Sequence, residues 1–252
     1  MNTLSSRSFL LAALIAFPSL LLAQSTQPSP QKPGETSPSE DSLISDFHNL
    51  GDINGATNLF RSGSPLRDLE KKSKQPDDAS EAAAHARLQH LYDRGIRTII
   101  SFEQSHPLAG AGKEDKTPWI TLEESAAKEV GITYISHPMA NAGKNSLETL
   151  SPPDILHWLQ AVDADIFKYA PSGAVDLHCS AGHDRTGIVV AYLRIKYQHW
   201  TVDAAIQEMR DRGHNWPKYS ANGGISSWHE ADLHAIAQLL NTPSATQPSP
   251  TP

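Results

Sequence analysis

The stretch Val175-Asp176-Leu177-His178-Cys179-Ser180-Ala181-Gly182-His183-Asp184-Arg185-Thr186-Gly187 holds the only cysteine of the chain in a pattern that can bind and attack an anion. A short apolar run reads as a buried strand, small residues follow as a loop, and Gly187 to Leu193 reads as a helix. Strand, tight loop and helix N-terminus make an anion site, because successive backbone N–H groups converge there and the helix dipole favours negative charge. Ser180, Ala181, Gly182, His183, Asp184 and Arg185 are expected to supply the contacts, with Gly182 permitting close approach. Arg185 adds a planar fork that matches two phosphate oxygens. In that positive surrounding the Cys179 thiol should ionise well below the roughly 8.5 of a free cysteine. The chemistry that follows is attack on a phosphate ester, giving a phosphocysteine that water then hydrolyses. Thr186 can donate its hydroxyl to the sulfur and ease departure of the thiolate in the second step.

His178-Cys179, five residues and then Arg185-Thr186-Gly187 resemble the signature of the cysteine-based protein tyrosine phosphatases. Asn58–Pro65 (Asn-Leu-Phe-Arg-Ser-Gly-Ser-Pro) and Gly95–Ile100 (Gly-Ile-Arg-Thr-Ile-Ile) are similar to segments of the bacterial and fungal dual-specificity-like branch. The resemblance implies a phosphotyrosine-phosphatase-like α/β fold in a single domain, with a central, mostly parallel sheet flanked by helices. It implies a phosphomonoester hydrolase of the tyrosine or dual-specificity type that uses neither cofactor nor metal. Its partner would be a phosphorylated protein, a peptide or a small phosphorylated molecule. His178 would order the loop rather than move protons, and Arg61 reads as a structural ion-pair partner. Two other functions stay open: an inositol phosphate or phosphoinositide phosphatase of the phytase kind, and an inactive phosphate-binding module.

The leaving oxygen needs a proton, which this family usually takes from an Asp on an upstream loop. Here that loop, Met139 to Glu148, contains no Asp. Glu148 is placed correctly by count, and Asp154 is the right residue but opens a helix, where a carboxylate complements the dipole. Asp184 is the preferred acid. It resembles the Asp of Cys-x-x-Gly-x-Asp-Arg loops, and a bound phosphate dianion beside it would raise its pKa. His183 stands where close loop variants have Lys, so it would carry charge only in mild acid. The remaining histidines, His214 among them, show no metal-ligand spacing and read as surface or satisfied core residues.

Several elements must hold this loop. Phe47–Pro65 has the short apolar pairs of small strands, and Glu70–Asp78 reads as a solvated loop. Ser80–Arg94 reads as a helix stopped by Gly95, then Ile96–Phe102 as a strand. His106–Pro118 reads as a loop, Leu122–Val130 as a helix and Ile132–Ile135 as a strand. Ser151 caps a helix ending near Tyr169, Thr201 caps Val202–Asp211, and Trp228–Leu240 closes the fold. Strands alternating with helices predict a mostly parallel sheet covered on both faces.

The 252 residues suit one domain with tails. Arg7 and the apolar run Phe9–Ala23 read as an export signal over 1–23, too short for a membrane span. Residues 24–41 and 241–252 are rich in Pro, Ser and Thr and poor in apolar groups, so both are expected to be disordered. The domain then occupies 42–240, in a periplasmic or secreted protein with no stable membrane insertion once the signal is removed. A lone cysteine forms no internal disulfide and is open to oxidation. The net charge of −7 argues against nucleic acid as a partner, so attraction for phosphate must be local.

Overall fold

The four parallel strands of the sheet deliver their C-terminal ends toward the loop that follows Cys179. The strands are β1 (His48–Asn49), β2 (Leu59–Gly63), β3 (Ile96–Ser101), β4 (Thr133–Ser136) and β5 (Ala174–Cys179), in spatial order β1-β2-β5-β3-β4. β1 pairs antiparallel with β2, while β2, β5, β3 and β4 are parallel. The computed structural model describes residues 43–73, 75–103, 117–138, 150–214 and 226–241. Its helices are α1 (Arg67–Glu70), α2 (Asp78–Asp93), α3 (Thr117–Val130), α4 (Pro152–Tyr169), α5 (Arg185–Gln198), α6 (Val202–Asp211) and α7 (Ser226–Asn241). The alternation of strand and helix thus produces the mostly parallel, helix-covered sheet that the sequence predicts.

β5 lies between two parallel neighbours and is covered on both faces, so its side chains divide by the two-residue period of a strand. Val175, Leu177 and Cys179 join a core with Leu159 and Val162 of α4, Ile188 of α5, Met209 of α6 and Ile236 of α7. On the other face, Ile96 and Ile99 of β3 pack with Leu88 and Leu91 of α2 and with Trp119 and Ala126 of α3. Burial of each such side chain contributes about 1.5–3 kcal/mol, which makes these two layers the main support of the loop.

Helix boundaries follow their caps. Asp77 accepts from the Ser80 backbone N–H at 2.8 Å, so α2 begins at Asp78 and the charged stretch before it is shorter than the sequence suggests. α1 ends at Glu70, where that stretch begins. α3 begins at Thr117, ahead of the expected Leu122, because Trp119 is drawn into the core and Pro118 is harmless in a first turn. α4 opens with a capping box in which Ser151 and Asp154 satisfy each other's backbone. α5 starts at Arg185 rather than Gly187, which places the helix N-terminus directly beneath the loop. The expected signal (1–23), the linker (24–41) and the tail after Asn241 lie outside the described residues, as does most of the His106–Pro118 loop. No described helix is long and apolar enough to cross a membrane.

Candidate active site

Register fixes the position of Cys179. Gly63 of β2 is its partner on one side, and the Ser64 N–H donates to the Cys179 carbonyl at 2.8 Å. On the other side the Phe102 N–H donates to the His178 carbonyl at 2.8 Å. The loop then turns through Gly182 at φ +78°, a conformation that favours glycine. A Cβ there would stand 2.7 Å from the Ser62 carbonyl oxygen, so the loop rests directly on the end of β2. Arg61, fully buried, donates to the Gly182 carbonyl from behind and pairs with Asp46 at 3.3 Å. This is the structural role that its sequence context suggests. The backbone N–H groups of Ala181, Gly182, His183 and Arg185 have no acceptor among the described residues, which leaves them available to an anion.

Cys179 is 3% exposed. Burial, the largest influence, pushes its thiol up, and Glu103 adds to that push. The charge of Arg185 and hydrogen bonds from the Thr186 hydroxyl and backbone N–H pull it down, and the outcome is a pKa below the ordinary value. Thr186 Oγ1 is buried and has no nitrogen or oxygen partner among the described residues, so the sulfur is its neighbour. The Arg185 guanidinium donates to the Phe102 carbonyl and lies 3.9 Å from Glu103, which orients the fork from the end of β3.

Beneath the loop, His178 and Glu123 lie 2.8 Å apart, both buried, as an ion pair rather than an aligned hydrogen bond. Burial alone would lower the His178 pKa, but Glu123, Asp176 and Glu103 outweigh it and raise it to about 9. Burial raises the carboxyl of Asp176 to about 6, opposed by His178 and by the Ser62 hydroxyl, which donates to it at 2.8 Å. His178 is thereby tied to Glu123 of α3, one residue before the nucleophile's position on β5.

The candidate acids separate. Asp184 precedes α5 at the loop's end and is 2.6 Å from Nδ1 of His214. Asp154 is engaged by the side chain and backbone of Ser151, which lower its pKa. It is held as a helix-capping carboxylate at the start of α4. Glu148 lies outside the described residues. At His183, burial first and then the positive charge of Arg67 push the pKa below the usual histidine value. Among the described residues no group of three or more His, Cys, Asp or Glu side chains is arranged to hold a metal ion.

Sequence reasoning missed four contributors. Glu123 shares a helical face with Trp119 and Ala126, and a carboxylate on an apolar stripe was the available signal. Glu103 directly follows β3, at the C-terminal edge where parallel sheets bind ligands. Asp46 and His214 join the loop only through tertiary contacts, and no local pattern marks them.

No family model matches the chain. The dual specificity protein phosphatase TpbA of Pseudomonas aeruginosa, in each of two strains, is 29% identical over 132 residues, 52% of this chain and 47% of TpbA. The chain thus spans about half the length of the curated relatives it matches. The crystal structure of P. aeruginosa TpbA is 20% identical, with 73% of this chain and 87% of that chain covered and a TM-score of 0.42. Kinase associated phosphatase, with its catalytic-site cysteine replaced by serine, is 16% identical over 78% of this chain and 94% of that one, with a TM-score of 0.49. The core catalytic domain of the PP-IP phosphatase SIW14 from S. cerevisiae, with citrate, is 18% identical over 79% and 96%, with a TM-score of 0.41. Over those 132 residues the chain is similar to TpbA, and in this chain β5 delivers Cys179 into an amide-lined turn ahead of Arg185.

Proposed function

We propose that the protein hydrolyses phosphomonoesters of the phosphotyrosine or dual-specificity kind through a phosphocysteine on Cys179. The observation that carries this reading is a buried thiol with a lowered pKa at the mouth of a loop whose amides and Arg185 can grip a dianion. The Cys179 thiolate attacks phosphorus, and the bond to the leaving oxygen breaks as Asp184 gives that oxygen a proton. Water then attacks the phosphocysteine, its proton passes to the Asp184 carboxylate, and the sulfur leaves with a hydrogen bond from Thr186. The loop amides and Arg185 hold the three non-bridging oxygens throughout, where positioning and charge carry most of the catalysis. The sequence relative is named a dual specificity protein phosphatase, which supports a phosphorylated protein or peptide as substrate. A neutral His183 offers no fixed charge for further phosphates, which favours that reading over a polyphosphorylated inositol.

Parallel assays on a phosphotyrosine peptide, phosphatidylinositol phosphates and phytate test the substrate, with turnover expected on the peptide first. Cys179→Ser should abolish hydrolysis of p-nitrophenyl phosphate, and a variant that still turned it over would refute the mechanism. We also place the protein outside the inner membrane, in the periplasm or secreted, on the strength of Arg7 and the apolar run Phe9–Ala23. N-terminal sequencing of the protein from producing cells should find Gln24 first, and a retained Met1 in the cytosol would contradict export.

A further inference from the structure

The exit of α6 is joined to the phosphate loop residue by residue. Its last turn closes with Arg212 N–H to the Glu208 carbonyl and His214 N–H to the Met209 carbonyl, both at 3.0 Å. Arg212 pairs with Asp46 at 3.7 Å, and Asp46 pairs with the Arg61 that holds the Gly182 carbonyl. Gly213, at φ +98°, lies flat against the next loop residue: a Cβ on it would stand 2.8 Å from the His183 ring. His214 meets the residue after that, with Nδ1 at 2.6 Å from Asp184 Oδ1. Three consecutive residues thus hold three consecutive loop residues, and the last contact falls on the candidate proton donor.

That last pair is asymmetric. The His214 side chain is 0% exposed and the Asp184 side chain 42%, so the carboxyl is the member an ester at the rim can reach. A group that gives a proton in one step and takes one in the next is helped by a partner that can itself exchange that proton. An imidazole nitrogen accepts from an acid's O–H or donates to a carboxylate, according to where the ring carries its proton. A backbone N–H only donates, and an Asn side chain has a donor and an acceptor but exchanges no proton.

We propose that His214 is the positioning residue of the acid–base step, sharing one proton with Asp184 through Nδ1. This rests on the phosphocysteine reading above. In the first step the shared proton passes through Asp184 to the leaving oxygen, and neither the carboxylate nor Nδ1 keeps it. In the second step the pair regains one proton from the attacking water. His214, 0% exposed, acts on the ester through Asp184.

The test compares kcat/KM for phenyl phosphate, a poor leaving group, with 2,4-dinitrophenyl phosphate, a very good one, in wild type, His214→Asn and His214→Ala. Tungstate affinity reports whether the loop is still formed. The expected result is a loss of about 10-fold to 100-fold on phenyl phosphate in both variants, a loss under about 3-fold on the dinitrophenyl ester, and unchanged tungstate affinity. Asn is the informative variant, since its amide can hydrogen-bond to Asp184 through Nδ2 or Oδ1 but cannot take up or release the shared proton. Equal losses on the two esters, or an unchanged ratio, overturn the proposal. So does weakened tungstate binding in parallel with both losses, because His214 would then act only on loop folding. Failure of the underlying reading looks different: wild type would hydrolyse neither ester, or Cys179→Ser would retain activity.

Discussion

On one face of β5, Val175, Leu177 and Cys179 meet the aliphatic side chains of α4 and α5. On the other, Asp176 and His178 meet Ser62 and Glu123, with Glu103 among the charges that reach them. Alternating residues of one strand therefore do separate work. The apolar face carries the nucleophile out of a packed core, where position is set by volume. The polar face fixes the same strand with buried charge, where position depends on the protonation of a few groups. The loop begins where the two faces end together, so the sulfur is mounted at the rim of a packed core. Burial opposes ionisation of Cys179, and the opposing charge arrives from Arg185, beyond the end of the strand.

Substitutions on the two faces should separate these roles. The largest stability loss is expected for Glu123→Gln, about 4 kcal/mol in urea unfolding, because the buried His178 loses its counter-charge. Leu177→Ala on the apolar face should lose about 3 kcal/mol, the usual cost of a cavity in a filled core. The two differ in pH dependence. His178 has a folded pKa of about 9, raised above its ordinary 6.5, so its favourable contribution is complete below about 6.5 and fades as pH rises through 9. Asp176 is raised to about 6 in the fold, so its contribution likewise fades as pH rises from its ordinary 3.8 through 6. Wild type and Leu177→Ala should both lose stability from pH 6.5 to 9, and Glu123→Gln should lack most of that slope. Parallel slopes in all three proteins would place the charge elsewhere.

Much of this was legible because it is local. The loop, its flanking strand and helix, and the roles available to Cys179 and Arg185 all lie within Val175–Gly187. Caps explain where helix boundaries moved: Asp77 draws α2 back to Asp78, and the burial of Trp119 draws α3 back to Thr117. The supports were not legible, for a physical reason. Glu123, Asp46 and His214 reach the loop from α3, from the chain before β1 and from the end of α6, and only the closed fold brings them together. Asp154 shows the converse. Its local pattern, Ser151 three residues earlier, describes a capping box, and the structure has it.

The central claim is that Cys179 is mounted to ionise early. The direct measurement is the rate of alkylation by iodoacetamide as a function of pH, read at this single cysteine by mass spectrometry. The midpoint is expected below the roughly 8.5 of a free thiol, lower still in Glu103→Gln and higher in Thr186→Ala. A wild-type midpoint at or above about 8.5 would contradict this.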